Sequence, residues 1–382
     1  MKINGFKNSK IYVAGKGIVQ TGLVIRDGKI AEISSSIKGD DFVELPQDKI
    51  LVPGFIDEHI HGARGADAMD GKYSSLKTIA TALPEEGVTS FNFTTMTMSK
   101  DVILKALSAI KDYLSKPQPG AYVMGVHLEG PFICKEFCGA QNPDDILPLD
   151  VPTLEEFIAA SGNHIKELTF SYDPSHKDFI DCMLAHHIAP SLGHTDNTSD
   201  LALEAISLGV HLGTHTFNAM KGIHHREIGT AGALLISDDV SCELIADLHH
   251  VSANAIRLLY RCKGKDRITL ITDSMEAKFL PDGMYALGGN PVVVKDGTAR
   301  LENGTLAGSI LHLNDAIRNV RTVLGLPLVD VIDMATINPA KNMSVAESKG
   351  SIAVGKDADF TLIDDDVRVY ETIRGGEVIY QR

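Results

Sequence analysis

The sequence predicts an α/β protein: a (β/α)8 TIM-type barrel with a small β-sandwich domain built from both chain ends. Three observations predict it. Between residues 51 and 344, eight short β-rich apolar runs alternate with helical patterns at spacings of roughly 25 to 40 residues, the rhythm of βα units. Both chain ends carry hairpin-like strands with Asp-Gly and Gly-containing turns. Residues able to bind metal fall at the C-terminal ends of several of the eight runs, which in a closed parallel barrel share one face.

Taken in order, the runs KIYVAG and TGLVIRDGKIAEIS open the chain, and GSIAVGKDADFTLIDDDVRVYETIRGGEVIYQR closes it with the same texture. Residues 1–50 and 345–382 are therefore assigned to one small β domain, with the barrel, 51–344, inserted between them. The eight barrel strands are sought in LVPGFIDEHIH, GVTSFNFTT, YVMGVHLEG, ELTFSYD, IAPSLGHT, GVHLGTHTF, CELIADLHH and RITLITDS. Segments between them, such as ILKALSAIKDYLSK and ANAIRLLYRCKG, repeat apolar residues at three and four and end in Gly or basic residues, as helices do. An open doubly wound sheet would place a glycine-rich phosphate turn after its first strand. LVPGFIDEHIHGARG contains no G-x-G-x-x-G.

Composition narrows the function. Of 382 residues, 44% are hydrophobic and 23% charged, values of an ordinary globular chain that exclude a disordered or low-complexity one. Lys+Arg number 36 against 50 Asp+Glu, a net charge of -14 that repels phosphate backbones and anionic membranes, so neither nucleic acid nor a membrane is expected as partner. Five scattered cysteines, no apolar signal-peptide region at the start and no run long enough to span a bilayer predict a cytoplasmic protein.

The chemistry is sought at the strand ends. His59 and His61 close the first run as His-Ile-His, and residues two apart on a strand point to one side. Alone, such a pair is more often incidental. Glu129 ends the apolar third run, where a buried carboxylate needs a cation or a hydrogen-bond donor. His194 and His215 end the fifth and sixth runs, and Asp273 ends the eighth, each with a bland reading as a structural His or a helix cap. Jointly they point to a divalent ion, Zn2+ or Fe2+, and six such residues leave room for one or two ions.

PGFIDEHIHG, HLEGPF, GHTDN, THTFNAM, HHREIG and ITDSM together resemble the amidohydrolase superfamily, and within it the amino sugar phosphate deacetylases. The resemblance covers nearly the whole chain. It implies that Glu129, His194 and His215 hold the main ion, that His59 and His61 bind a second with Glu129 bridging, and that Asp273 is the catalytic acid/base. Many members of the superfamily bridge their ions with a carboxylated lysine at the end of strand 4, and ELTFSYD ends without one. The implied reaction is removal of the acetyl group from N-acetylglucosamine 6-phosphate, with N-acetylgalactosamine 6-phosphate as the alternative substrate. Asp273 is then expected to take a proton from the attacking water and pass it to the departing amine.

The resemblance further assigns the phosphate to Asn218, Ala219, Arg226 and His250, with Arg226 reaching across the interface of a homodimer. On the residues alone, the favoured readings are a solvated surface charge for Arg226 and a strand-end structural histidine for His250. Ala140 and Gln141, in GAQNP, resemble the loop that covers the acetyl group, and the neutral Gln141 amide can donate a hydrogen bond to the carbonyl without becoming cationic.

Overall fold

The run LVPGFIDEHIH divides at Gly54. A side-chain carbon there would meet Thr89 Oγ1 at 2.2 Å, so only glycine lets the chain pass. Before it, Ile50–Pro53 pairs with Gly5–Val13 and with Phe360–Ile363; after it, Phe55–Ile60 is the first barrel strand. The change from one sheet to the other thus falls at Gly54 rather than after residue 50. A computed structural model describes residues 1–382 throughout.

Each of the eight middle runs overlaps a strand of one parallel sheet: Phe55–Ile60, Val88–Thr94, Tyr122–Glu129, Ile165–Phe170, Ala189–Leu192, Leu212–Gly213, Ser241–Ile245 and Ile268–Ile271. Each pairs with the next, and a parallel bridge from Ile60 to Ser274 brings the first against the end of the eighth. The sixth strand is shorter than GVHLGTHTF predicts, because the extended backbone ends where His215 turns to a φ of 29°.

The alternating helices form for local reasons that the sequence carries. Asp150, Thr198 and Ser252 accept the backbone N–H of Thr153, Leu201 and Ala255 and so start the helices Val151–Ser161, Ser199–Ser207 and Ala253–Lys263. Lys100–Leu114 buries Ile103, Leu107 and Ile110 against the strands, a stripe in which each side chain contributes about 1.5–3 kcal/mol. A charge at Leu107 would break it.

Strands from the two chain ends share a second, eight-stranded sheet, in which Phe360–Ile363 lies between Ile50–Pro53 and Val369–Arg374. A third sheet was not anticipated. Gly283–Leu287, Asn290–Lys295 and Thr298–Arg300 form an antiparallel meander inserted after the eighth barrel strand. Its hairpins turn at Gly-Gly and Asp-Gly, a legible signal in LGGNPVVVKDGTAR.

The main apolar core lies between barrel and helices, with Phe55, Phe91, Leu107, Phe157 and Leu244 among its members. The barrel interior is different. Barrels of this type usually fill with branched aliphatics, yet His127 Nε2 meets Thr169 Oγ1 at 2.7 Å, Thr169 meets Thr214 at 2.7 Å, and Thr214 meets Ser191 at 2.6 Å. Glu58, Glu167 and Glu243 are buried with them. This polar column stands directly beneath the strand ends that carry the site.

Candidate active site

Six residues foreseen as ligands converge at the C-terminal mouth of the barrel. Glu129 Oε1 lies 3.2 Å from His194 Nε2 and 3.1 Å from His215 Nε2, and the two nitrogens are 3.1 Å apart. His59 Nε2 lies 3.5 Å from Glu129 Oε1 and 3.5 Å from Asp273 Oδ1. His61 Nε2 lies 3.1 Å from Asp273 Oδ1 and 3.5 Å from Glu129 Oε2. Glu129 is thus common to two triads of donors, His194/His215 and His59/His61.

Local backbone sets these positions. His194, His215 and Asp273 hold φ values of 47°, 29° and 47°, left-handed conformations that non-glycine residues adopt at some cost and that cluster at functional sites. Gly193 lets His194 approach, since a side-chain carbon there would meet Thr214 Cβ at 2.6 Å. The ring of His194 is fixed by a hydrogen bond from Nδ1 to the Phe137 carbonyl at 2.8 Å. In the neutral tautomer Nε2 is then an acceptor, 3.3 Å from the Gln141 amide nitrogen and facing another acceptor, the Glu129 carboxylate, at 3.2 Å, and the pair with Glu129 requires a proton or a cation between its members.

The donor set fits a divalent ion. Bonds of about 2.1 Å to nitrogen and oxygen place neighbouring ligands about 3.0 to 3.4 Å apart, and the Glu129/His194/His215 triangle has edges of 3.1 and 3.2 Å. The His59/His61 half is wider, and His59 Nε2 has no hydrogen-bond partner although fully buried. Burial pushes the Glu129 carboxyl up, but His194 and His215, which donate to it when their Nε2 atoms carry protons, and the nearby charges of His194 and His59 hold it well below the usual carboxylate range. Burial likewise raises Asp273, and His59 and His61 bring it below its ordinary value.

Above the donors opens a cavity of about 310 Å³, lined by polar and apolar groups. His61, Glu129, His194, His215 and Asp273 face it, and so do Ala140, Gln141, Asn218, Ala219 and His250. His59 lies behind the wall. His250 Nδ1 donates to Asp247 at 2.6 Å, which orients its ring, and Asn218 Nδ2 donates to the His215 carbonyl at 3.1 Å. Gln141 is already engaged: its Oε1 accepts from Thr97 N at 2.7 Å and its Nε2 donates to Glu129 Oε2 at 2.9 Å. The foreseen hydrogen bond to a substrate carbonyl therefore competes with Glu129.

A profile of the amidohydrolase family matches residues 50–379. The chain belongs to the amidohydrolase family. Among curated amidohydrolase relatives, the N-acetylglucosamine-6-phosphate deacetylase of Bacillus subtilis (strain 168) is 38% identical over 371 residues, 95% of this chain and 94% of that protein. The N-acetylgalactosamine-6-phosphate deacetylase of Escherichia coli O157:H7 is 35% identical over 85% of this chain and 86% of its own. The crystal structure of N-acetylglucosamine-6-phosphate deacetylase from Thermotoga maritima superposes with a TM-score of 0.90 at 34% identity, covering 99% of this chain and 100% of the other. A Mycobacterium smegmatis deacetylase in complex with N-acetyl-D-glucosamine-6-phosphate superposes at 0.91 with 26% identity, covering 98% and 99%.

One foreseen residue of this amidohydrolase stands apart. Arg226 is exposed, donates to His225 at 2.8 Å, and does not line the cavity of its own chain. The fourth strand ends at Phe170, so no lysine stands at that strand end beside the donor cluster. Two buried groups in contact with the ligand rings escaped the sequence reading: Glu243, bonded to His59, and His127, whose ring packs against His59 at 4.4 Å. Both sit inside strands rather than at their ends. The signal for Glu243 was the one that singled out Glu129, a carboxylate in an apolar run.

Proposed function

We infer that this chain is an amide hydrolase that removes the acetyl group from N-acetylglucosamine 6-phosphate, giving glucosamine 6-phosphate and acetate. The observation that carries the reading is the Glu129/His194/His215 triangle with Asp273 facing the same cavity, in a chain that aligns over 95% of its length with a deacetylase of that substrate.

In this proposal Glu129, His194 and His215 would hold one divalent ion, and His59 and His61 would hold a second, with Glu129 common to both sets of donors. The mixed imidazole and carboxylate set suits Zn2+ or Fe2+. An ion so held would lower the pKa of water toward neutrality and draw charge from an amide carbonyl. The protein's own work is proton transfer and orientation. Asp273 accepts a proton as the water oxygen bonds to the acetyl carbon, and returns it to nitrogen as the carbon–nitrogen bond breaks, so that a neutral amine leaves. Ala140 and Gln141 close over the acetyl group and exclude bulk water.

The phosphate needs a cationic cradle in a protein of net charge -14. Asn218, the Ala219 backbone and His250 are assigned to it, with Arg226. Because Arg226 stands outside its own cavity, we assign it to the cavity of a second copy, which makes the enzyme a homodimer. Five unpaired cysteines support a reducing, cytoplasmic compartment.

The test is acetate release from the 6-phosphates of N-acetylglucosamine and N-acetylgalactosamine, with both unphosphorylated sugars as controls. Fastest release from the glucosamine 6-phosphate derivative is expected. Faster release from the galactosamine epimer would move the assignment to the alternative, and no acetate from any of the four would end the reading.

A further inference from the structure

We propose that Glu243 is a positioning residue for the metal site, setting the ring of His59 and the backbone of His215 through a single carboxylate oxygen. The inference rests on the metal-binding reading above.

Glu243 lies in the seventh barrel strand, fully enclosed beneath the site. Its Oε2 is 3.1 Å from His59 Nδ1 and 3.0 Å from the backbone nitrogen of His215. A carboxylate can only accept, so His59 carries its proton on Nδ1 and turns the lone pair of Nε2 toward Glu129 and Asp273. The second bond supports His215 at a φ of 29°, and the Nε2 of that residue belongs to the other triad. One oxygen therefore sets the register of a ligand in each half of the site. The other oxygen, Oε1, has no partner, so the geometry uses Glu243 as an acceptor at one atom. His127 closes the remaining side of the His59 ring at 4.4 Å, leaving Glu243 as the group that fixes its tautomer.

The test compares Zn2+ uptake by chelator-stripped wild type, Glu243→Gln and Glu243→Leu, reading ions per chain and affinity by competition with a chromophoric chelator. Glutamine can place its carbonyl oxygen where Oε2 stands, so Glu243→Gln should bind within about threefold of wild type, whereas Glu243→Leu should lose roughly 10–100-fold in affinity for at least one ion. Melting temperatures of the stripped proteins separate this loss from general damage, since a positioning role leaves Gln and wild type alike in both readouts. Unchanged affinity in Glu243→Leu overturns the proposal, and so does a Gln variant as weak as Leu.

A measurement on wild type stands if the Leu variant does not fold. In Zn2+-loaded protein labelled with 15N-histidine, with the His59 signal assigned by its absence from His59→Gln, Nδ1 should carry the proton; a bare Nδ1 overturns the role of Glu243. Wild type that takes up no divalent ion at all overturns the metal reading as well, while normal wild-type uptake with an unaffected Leu variant overturns only this inference.

Discussion

The Nε2 atoms of His194 and His215 face each other at 3.1 Å, with the Glu129 carboxylate completing the triangle. With its Nδ1 proton held by Phe137, a neutral His194 sets its Nε2 lone pair against the Glu129 carboxylate in a buried site, where a proton or a cation must stand between them. Stripping the protein with chelator should therefore lower its melting temperature, and Zn2+ should restore it. At a free ion concentration 100 times Kd the gain is about 2.7 kcal/mol, read by scanning calorimetry. A melting temperature indifferent to chelator and to added ion would exclude a bound metal there.

Asp273 is the group assigned to proton transfer, 3.1 Å from His61. Asp273→Asn keeps the shape and removes the base, so kcat should fall by about 10²–10⁴-fold while metal content, measured by mass spectrometry, stays that of wild type. Retained turnover would mean that another group moves the proton, and lost metal would make Asp273 a ligand first.

Much of this architecture was legible because barrel chemistry concentrates at strand ends. His59, His61, Glu129, His194, His215 and Asp273 could be lined up before any fold was known, since each closes a β-rich run. What escaped were groups whose role depends on which strands face each other across the barrel. Glu243 reaches His59 from the seventh strand to the first, a juxtaposition that no local pattern encodes. The insertion at Gly283–Arg300 escaped differently: its hairpin signals are clear, but the eight-unit count left no place for them.

Arg226 yields a prediction about assembly. If it serves a second copy's cavity, Arg226→Ala should lose a charge-assisted hydrogen bond to phosphate, about 1.5–3 kcal/mol, seen as a drop in kcat/KM for the 6-phosphate and no change for the unphosphorylated sugar. Sedimentation should show a dimer. A monomer with full activity would return Arg226 to the solvated surface, where His225 is its partner.

The last prediction concerns stability. Lys278 Nζ and Glu86 Oε1 meet at 2.6 Å with both side chains buried, and the other carboxylate oxygen accepts from Leu313 N at 3.1 Å and lies 3.2 Å from His312 Nδ1. Glu86 thereby ties the loop after the eighth strand to the start of the helix Leu313–Leu324. Burial pushes its carboxyl up, but Lys278 and His312 hold it below the ordinary value. A depressed carboxyl contributes stability above the unfolded pKa of about 4.3 and loses it as pH falls through the folded value. Lys278→Met removes the fully buried cation and leaves the carboxylate only Leu313 N–H and His312, and should cost about 3–5 kcal/mol at neutral pH. Its Glu86 then titrates upward, so the sign inverts: the variant gains on wild type as pH falls toward 5, where protonation of Glu86 removes the charge that lost its lysine. Removing both partners, as Glu86→Leu with Lys278→Met, should cost less than removing the lysine alone. Urea denaturation at pH 7 and pH 5 measures all three, and a Lys278→Met deficit that is the same at both pH values would show that the buried charge is not what the lysine stabilises.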